Sequence, residues 1–200
     1  MEHVYWLDYT FHQLLMKLVL GSESPRRKEL LSTLGFEFRT LKPNADETIP
    51  GGISIEEVPM ILAELKASIL MNELLEDETI ICADTIVVLD NQIIGKPVDF
   101  NHAVSILTAL SDTTHFVYTG VNIRNHKKSY SFVEKSEVSF TKISLEQIEY
   151  YIREFKPFDK AGSYGIQDWI GATAVIKING SYTNVMGLPT CQLRQELDRF

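Results

Sequence analysis

Long apolar runs are absent from this 200-residue sequence. Its apolar stretches, such as residues 80–83 and 86–89, end well short of the roughly 20 residues that a membrane-spanning helix needs. Residues 1–16 carry Glu2 and Asp8, lack a cationic start and contain no small-residue cleavage site, unlike a secretory signal. We therefore expect a cytoplasmic protein without a membrane partner.

Cysteine is scarce, and histidine is scattered. Cys82 lies in an apolar β-like run and Cys191 in a predicted helix, a placement that favours reduced core residues over a disulfide. The five histidines show no HExxH motif and no paired Cys/His spacing, which argues against structural zinc. A GxSxG nucleophile elbow is also missing, so covalent hydrolase chemistry loses support.

The sequence has fewer basic than acidic side chains. Nineteen Lys and Arg residues stand against 27 Asp and Glu, for a formal net charge of -8. This balance repels a polyanion unless a local basic patch overcomes it, so we expect no nucleic-acid partner. A small anion remains a candidate ligand, because a pocket and a bound metal determine its binding more than the net field does.

The chain has 44% hydrophobic residues and no repeat, low-complexity tract or Ser/Gly linker, which predicts one compact unit. Helix and strand patterns alternate irregularly, so we expect a mixed α/β sheet rather than a doubly wound one. Single strands are predicted over residues 17–20, 114–124 and 129–142. Residues 79–94 are predicted to form a strand pair turning at Asp90-Asn91, and residues 172–178 and 182–185 a hairpin around Asn179-Gly180. The predicted helices cover residues 25–34, 58–75, a segment capped by Asp99, 145–155 and a segment from about 190. In the second helix, the core-facing side chains are predicted to be Ile61, Leu62, Leu65 and Ile69.

A turn rich in anion-binding groups joins the first strand to the first helix. Ser22 and Ser24 supply hydroxyls, Arg26 and Arg27 supply guanidiniums, and the helix amino terminus supplies unpaired N–H groups. This combination predicts a polyphosphate cradle that differs from a P-loop, since no Gly-Lys-Ser/Thr follows. The alternative is a capped helix with two solvated arginines.

Asp84-Thr85 interrupts an otherwise apolar strand. A carboxylate there is costly to bury unless it meets a cation, a metal or several donors, so we expect Asp84 to face a cleft as a base or a metal ligand. A backbone-bonded strand end is the alternative. Glu47 in a Pro/Gly-rich loop could hold Mg²⁺, and Lys66 and Lys96 could contact phosphate, although each alone is a weak signal.

Residues 159–167 combine glycines with polar side chains, a composition that permits close approach of a ligand to the backbone. Tyr164 could stack on a base, and Gln167 could pair with a base edge through both its donor and its acceptor. An ordinary glycine-containing loop explains the spacing equally well.

Together these segments resemble Maf-like proteins. The likeness rests on residues 22–27 (SESPRR), 83–85 (ADT), 95–97 (GKP), 159–167 (DKAGSYGIQ) and 186–189 (MGLP), in that order. It runs from about Lys17 to the carboxyl terminus, with residues 1–16 as an extension and residues 17–200 as a single catalytic domain. Gly21 departs from the family pattern, where alanine is usual.

The resemblance implies an elongated mixed α/β fold similar to that of inosine triphosphatases, with a cleft between two lobes. It also implies a house-cleaning nucleoside triphosphate pyrophosphatase of the dTTP/UTP branch that uses Mg²⁺ or Mn²⁺, and a homodimer. Asp84 would be the proton acceptor, with Glu47 and Asp84 as metal ligands. The implied substrate-binding positions are Ser22, Ser24, Arg26, Arg27, Lys66, Thr85, Lys96, Lys160 and Gln167.

Besides nucleic-acid binding through Arg26, Arg27 and Lys28, which the acidic balance opposes, two other functions compete with hydrolysis of this kind. One is a nucleotide-binding regulator of cell division or septum formation that does not turn its ligand over. The other is a kinase, which the missing P-loop lysine pattern weakens and which would leave a diphosphate. A pyrophosphate-release assay separates these functions from pyrophosphatase activity.

Overall fold

A computed structural model describes residues 16–45 and 52–200 of the chain. Within these residues one mixed sheet contains β1 (Lys17–Gly21), β2 (Phe38–Leu41), β3 (Glu78–Leu89), β4 (Gln92–Ile94), β5 (Thr114–Arg124), β6 (Ser129–Phe140) and β7 (Val175–Asn179). Its order is β2-β1-β3-β5-β6-β7, with β4 paired to β3. β1 runs parallel to β2 and β3, whereas the pairs from β3 to β7 are antiparallel. The predicted mixed α/β class is therefore confirmed.

Helices cover both faces of the sheet. They are α1 (Pro25–Thr33), α2 (Val58–Leu70), α3 (Phe100–Leu110), α4 (Leu145–Phe155), α5 (Trp169–Ala174), α6 (Tyr182–Met186) and α7 (Thr190–Arg199). On one face Ala67 and Leu70 of α2 pack against Ile80, and on the other Leu31 of α1 and Leu193 of α7 pack with Ile81. None of the helices in the described part of the chain has the length and apolar character needed to cross a bilayer.

Two helix caps and one turn lie where the local sequence predicts them. Asp99 Oδ1 accepts a hydrogen bond from the His102 N–H at 2.7 Å and caps α3. Ser144 and Gln147 form the predicted capping box of α4. Asp90 and Asn91 have φ angles of 48° and 60°, which suit the tight turn between β3 and β4. These contacts join residues close in sequence, so a sequence pattern is enough to predict them.

The predicted core face of α2 is shifted by about one position, and of the four predicted side chains only Leu62 is buried. The buried stripe consists of Val58, Pro59, Leu62, Ala63, Lys66, Ala67 and Leu70, and Ile69 is 40% exposed. Small alanines lie against the sheet because the helix approaches it closely, and this places Lys66 on the buried face. The helix ends at Leu70 and continues as a 3-10 turn over Met71–Glu73, short of the predicted residue 75.

The predicted hairpin around Asn179-Gly180 is also wrong. β7 ends at Asn179, the first residue of this pair, but the residues after Gly180 form α6 instead of a second strand. The Ser181 hydroxyl caps α6 by accepting from the Asn184 N–H at 3.2 Å, and Asn184 itself is fully buried. Strand β7 pairs with β6, so the Asn-Gly signal marks a strand-to-helix turn here.

Both cysteines are free thiols, as predicted, but only one is a core residue. Cys82 is fully buried in β3, whereas Cys191 is exposed on α7.

Candidate active site

The end of β1 leaves one edge of β3 open. β1 pairs with β3 only up to the Leu20 to Ile81 register, and β4 pairs with β3 only from Val87 onward, so the edge is open between them. Asp84 and Thr85 therefore lie beyond the end of β1, on successive positions that face opposite sides of the sheet. This explains how a carboxylate and a hydroxyl in an apolar strand reach a cleft.

Asp84 meets a cation on the α2 side. Its Oδ1 lies 2.5 Å from the Lys66 ammonium, and the two side chains are only 15% and 8% exposed. An ion pair this buried needs both partners, since removal of one leaves the other charge uncompensated. The sequence left a cation, a metal or several donors open as partners of Asp84, and the structure provides a cation, a lysine from the buried face of α2.

Gly120 sets how closely α2 approaches this pair. It lies opposite Asp84 in the β3 to β5 register, and a Cβ built on it would come within 2.1 to 2.4 Å of backbone atoms of Pro59 and Met60. Only a glycine leaves room for the first turn of α2 on the sheet. Lys66 lies about two turns further along the same helix, so we expect its position to depend on that contact.

The amino terminus of α1 supplies the arginines. The Ser24 hydroxyl caps the helix, with Pro25 in its first turn as predicted. Arg27 Nε donates to the Gly187 carbonyl at 2.8 Å, and its Nη2 donates to Thr85 Oγ1 at 3.0 Å. Arg26 Nη1 forms an ion pair with Asp159 at 3.0 Å.

Residues 159–168 hold a third group of charges. The Lys160 ammonium lies 2.9 Å from Asp159 and 3.9 Å from Asp168. Burial raises the pKa of Asp159, but hydrogen bonds from Lys160 and Arg26 outweigh this effect and hold the pKa below its ordinary value of 3.8. Asp159 thus remains an anion that links the two cations across the mouth of the site.

A buried phenol supports this segment from beneath. The Tyr151 hydroxyl donates to Asp168 at 2.8 Å and accepts from the Gly165 N–H at 3.0 Å. Burial, reinforced by Asp168, raises the pKa of Tyr151, so the phenol keeps its proton for that bond. Tyr164 is 6% exposed and packs against His115 and Phe140, which leaves little surface on which a base could stack.

These groups surround one cavity of about 150 Å³. Five cationic side chains and two carboxylates line it, together with apolar residues. The charged residues are Arg26, Arg27, Lys66, Lys96, Lys160, Asp84 and Asp159. A local excess of positive charge is present in a protein whose formal net charge is -8. The cavity is therefore suited to a small polyanion.

The structure brings together nine of the predicted site residues: Ser24, Arg26, Arg27, Lys66, Asp84, Thr85, Lys96, Lys160 and Gln167. Ser22 is different, because it is buried and its hydroxyl accepts a hydrogen bond from the Ser24 N–H at 3.2 Å. It shapes the turn and is not among the residues that line the cavity. Glu47 and the neighbouring Asp46 lie outside the described residues.

Three contributors were not predicted as site residues. Asp159 is the first residue of the predicted segment 159–167, and its charge and its position next to Lys160 were the available signal. Thr119 gave none, because a threonine in an apolar strand has no sequence pattern that marks it. Gly187 lies within residues 186–189, on which the family resemblance rests, but no pattern marks its carbonyl as the group that holds Arg27.

In the described part of the chain, no group of three or more His, Cys, Asp or Glu side chains could hold a metal ion. Mg²⁺ is usually held by one or two carboxylates together with substrate phosphates. Asp84, a carboxylate facing a cationic cavity, fits that mode of binding.

The sequence as a whole matches one protein family. The family described as Maf-like protein matches residues 17–200. The chain belongs to the Maf-like protein family. The match covers both the α1 amino terminus and the residues 159–167 segment, so all described charged residues of the cavity lie within it.

Two relatives of this Maf-like chain are similar over nearly their whole length. A dTTP/UTP pyrophosphatase of Phocaeicola vulgatus is 50% identical over 185 residues, which is 92% of this chain and 95% of that protein. A dTTP/UTP pyrophosphatase of Porphyromonas gingivalis is 46% identical over 187 residues, or 92% and 94% of the two chains. The solved Ham1 protein of Staphylococcus aureus has a TM-score of 0.49 at 13% identity and covers 90% of this chain and 99% of its own.

Proposed function

We propose that this Maf-like protein hydrolyses dTTP and UTP to the monophosphate and pyrophosphate, as a house-cleaning enzyme of the cytoplasm. The observation that carries the proposal is the cavity that Asp84 lines together with five cationic side chains. The names of the two relatives support the substrate, since half of the residues are shared with one of them over almost the full chain.

Arginine and lysine supply the charge that a triphosphate needs. Arg26 and Arg27, at the amino end of α1, orient the phosphates through planar guanidiniums, and the helix terminus adds its partial positive charge. Lys96 and Lys160 approach from other segments of the chain. Such fixed charges lower the barrier when they are aimed at the charge that develops in the transition state.

Asp84 is the group we assign to proton transfer. A water attacks the α-phosphorus, its new oxygen–phosphorus bond forms as the bond to the bridging oxygen breaks, and pyrophosphate leaves. Asp84 takes the proton of that water, while Lys66 at 2.5 Å balances its charge. Both side chains are largely buried, which keeps the carboxylate in place.

A divalent cation, Mg²⁺ or Mn²⁺, belongs to the proposal. When bound, it would neutralise phosphate charge. Asp84 would hold it with phosphate oxygens, and Glu47 stays a predicted second ligand. A carboxylate bound to a cation is a weaker base, so the roles of proton acceptor and metal ligand oppose each other at Asp84, and kinetic measurements distinguish them.

Gln167 is proposed to read the base. Its side chain is exposed at the cavity beside Ile166, and an amide can donate and accept at the edge of a pyrimidine. A purine preference would contradict this assignment. A homodimer is proposed from the family resemblance alone, and sedimentation of the purified chain tests it.

The decisive experiment incubates the purified protein with a panel of nucleoside triphosphates and Mg²⁺ or Mn²⁺ and identifies the products. We expect dTTP and UTP to give monophosphate and pyrophosphate. A diphosphate with inorganic phosphate would contradict cleavage at the α-phosphorus. Tight binding without any product would favour the non-hydrolysing regulator instead.

A further inference from the structure

A row of hydroxyl groups connects Arg27 with the interior of the protein. Arg27 Nη2 donates to Thr85 Oγ1 at 3.0 Å, and this oxygen lies 3.0 Å from Thr119 Oγ1. Thr119 Oγ1 in turn donates to the Asn184 carbonyl at 3.0 Å. Thr119 and Asn184 are both fully buried, so their contacts are shielded from solvent.

The direction of every hydrogen bond in this row is determined by its two ends. A backbone carbonyl only accepts, so the single proton of Thr119 points to Asn184. Thr85 must then donate its own proton to Thr119. A guanidinium only donates, and Thr85 therefore turns a lone pair toward Arg27. While Arg27 is held in this way, the Thr85 hydroxyl has no proton left for a phosphate.

The inner end of the row is firmly held. The Asn184 side-chain amide donates to the Val117 carbonyl at 3.1 Å and to Ser136 Oγ at 2.9 Å. The second anchor of Arg27 is the carbonyl of Gly187, the residue that directly follows α6 and has a φ of 110°. Two nitrogens of the guanidinium are thus fixed by backbone carbonyls at residues 184 and 187, one directly and one through two threonines.

We propose that Thr119 is a positioning residue, which orients the Thr85 hydroxyl and through it the Arg27 guanidinium toward the phosphates of the substrate. The proposal rests on the proposed function, because Arg27 must bind phosphate for its orientation to matter. In this proposal Thr85 holds Arg27 in place, and neither threonine affects which base the enzyme prefers.

The test compares Thr119→Val with Thr119→Ser. Valine keeps the shape of threonine but removes the hydroxyl, whereas serine retains it. Loss of one such bond to a charged network predicts an increase in KM for dTTP of about tenfold in Thr119→Val. Because the proposed contact of Arg27 with phosphate exists before and during the reaction, most of the effect should fall on KM and less of it on kcat. Thr119→Ser should restore most of the loss, and the ratio of kcat/KM for dTTP and UTP should stay constant.

A matched control separates positioning from general packing. Thr79 is a buried threonine on β3 and does not line the cavity. Thr79→Val should leave KM near the wild-type value, and thermal unfolding should show that each variant is folded. If Thr119→Val does not fold, Thr85→Val removes the next hydroxyl of the row and should give the same increase in KM.

A double-mutant cycle with Arg27→Ala identifies the path of the effect. Once Arg27 is removed, Thr119→Val should cause no further increase in KM. An equal increase in both backgrounds, or an unchanged KM in Thr119→Val, would overturn the proposal.

Calorimetric titration with Mg²⁺-pyrophosphate keeps this test separate from the proposed function. Thr119→Val should bind pyrophosphate about tenfold more weakly than the wild type. A wild type that binds pyrophosphate but releases none from any nucleotide contradicts the proposed function, and the loss of affinity in Thr119→Val then decides the positioning role alone. A wild type that neither hydrolyses nucleotides nor binds pyrophosphate overturns both.

Discussion

At the scale of single residues, the proposed role of Asp84 depends on the charged groups around it. A carboxylate in an apolar strand indicated a cleft, but its partner Lys66 could not be identified from sequence, because the core face of α2 was predicted one position away. The pair lies 2.5 Å apart and joins elements that are distant in sequence. Local patterns therefore predicted that Asp84 has a special environment without predicting which cation provides it.

Asp84→Asn should reduce kcat by about a hundredfold or more, because an amide cannot accept the proton of the attacking water. Steady-state turnover of dTTP measures the loss, and circular dichroism checks that the fold is retained. Asp90→Asn is the matched control, since Asp90 is an exposed turn residue with a φ of 48° that asparagine tolerates. Turnover near the wild-type rate in Asp84→Asn would remove this residue from its assigned role.

Gly21 shows how a departure from a family pattern can be explained by packing. A Cβ on Gly21 would come within 2.3 Å of Cys82 Sγ and 3.0 Å of a Leu70 methyl. Burial also raises the pKa of the Cys82 thiol to about 12, so the group is an unreactive space-filling side chain. The sulfur of Cys82 therefore occupies the space that an alanine at position 21 would need.

Gly21→Ala should lower the free energy of unfolding by about 1–3 kcal/mol, the usual range for overpacking a core. Denaturant unfolding of Gly21→Ala, Cys82→Ala and the double variant measures the coupling. We expect the double variant to be more stable than Gly21→Ala alone, since removal of the sulfur makes room for the methyl. Strict additivity of the two single effects would contradict this packing explanation.

At the scale of elements, the predictions succeeded where the signal was local. Caps at Asp99 and Ser144 and the turn at Asp90 depend on neighbours within a few residues, and they lie where the sequence predicts them. The hairpin at Asn179-Gly180 failed because burial of Asn184 against β5 and β6 favours a short helix. Long-range contacts of this kind have no periodic signature.

The docking of α2 gives a prediction at the same scale. Gly120→Ala would place a methyl group within 2.4 Å of the Pro59 backbone, so α2 must shift away from β5. We expect a loss of stability of about 1–3 kcal/mol and a loss of activity greater than tenfold, because Lys66 moves with the helix.

Thermal unfolding and dTTP turnover of Gly120→Ala measure these two effects. Gly95→Ala serves as the control for stability, because a Cβ on Gly95 would have no heavy atom within 4 Å. A Gly120→Ala variant with wild-type activity would show that the position of Lys66 does not depend on this contact.

At the scale of the whole molecule, the mixed α/β class, the family and most of the cavity lining could be predicted from sequence. The motifs converge because β1 ends early and exposes β3, a consequence of sheet topology that no motif states by itself. The network behind Arg27 could not be predicted, because it consists of one strand threonine and two backbone carbonyls. Motifs thus predict groups that contact a ligand better than they predict the groups that hold them.

The acid stability of the whole molecule should depend on His115. This residue is fully buried, its Nε2 lies 2.8 Å from the Tyr164 hydroxyl, and burial lowers its pKa from 6.5 to about 4. Between these values the unfolded chain binds a proton that the folded chain does not, so stability falls as the pH decreases from about 6.5 toward 4. This pKa shift corresponds to a loss of about 3 kcal/mol in the free energy of unfolding. The pKa of Glu78, which a hydrogen bond from Arg39 holds below 4.5, adds a further loss of stability that begins only at the acid end of this window.

Urea unfolding at a series of pH values from 7 to 4 measures this loss. His115→Gln should flatten the dependence of the unfolding free energy on pH, whatever its effect on absolute stability. Tyr164→Phe removes the hydrogen-bond partner but keeps the residue apolar and large, so the slope should persist if burial is its cause. An unchanged slope in His115→Gln would assign the acid sensitivity to other groups, and a flat profile in Tyr164→Phe would make the hydrogen bond its source.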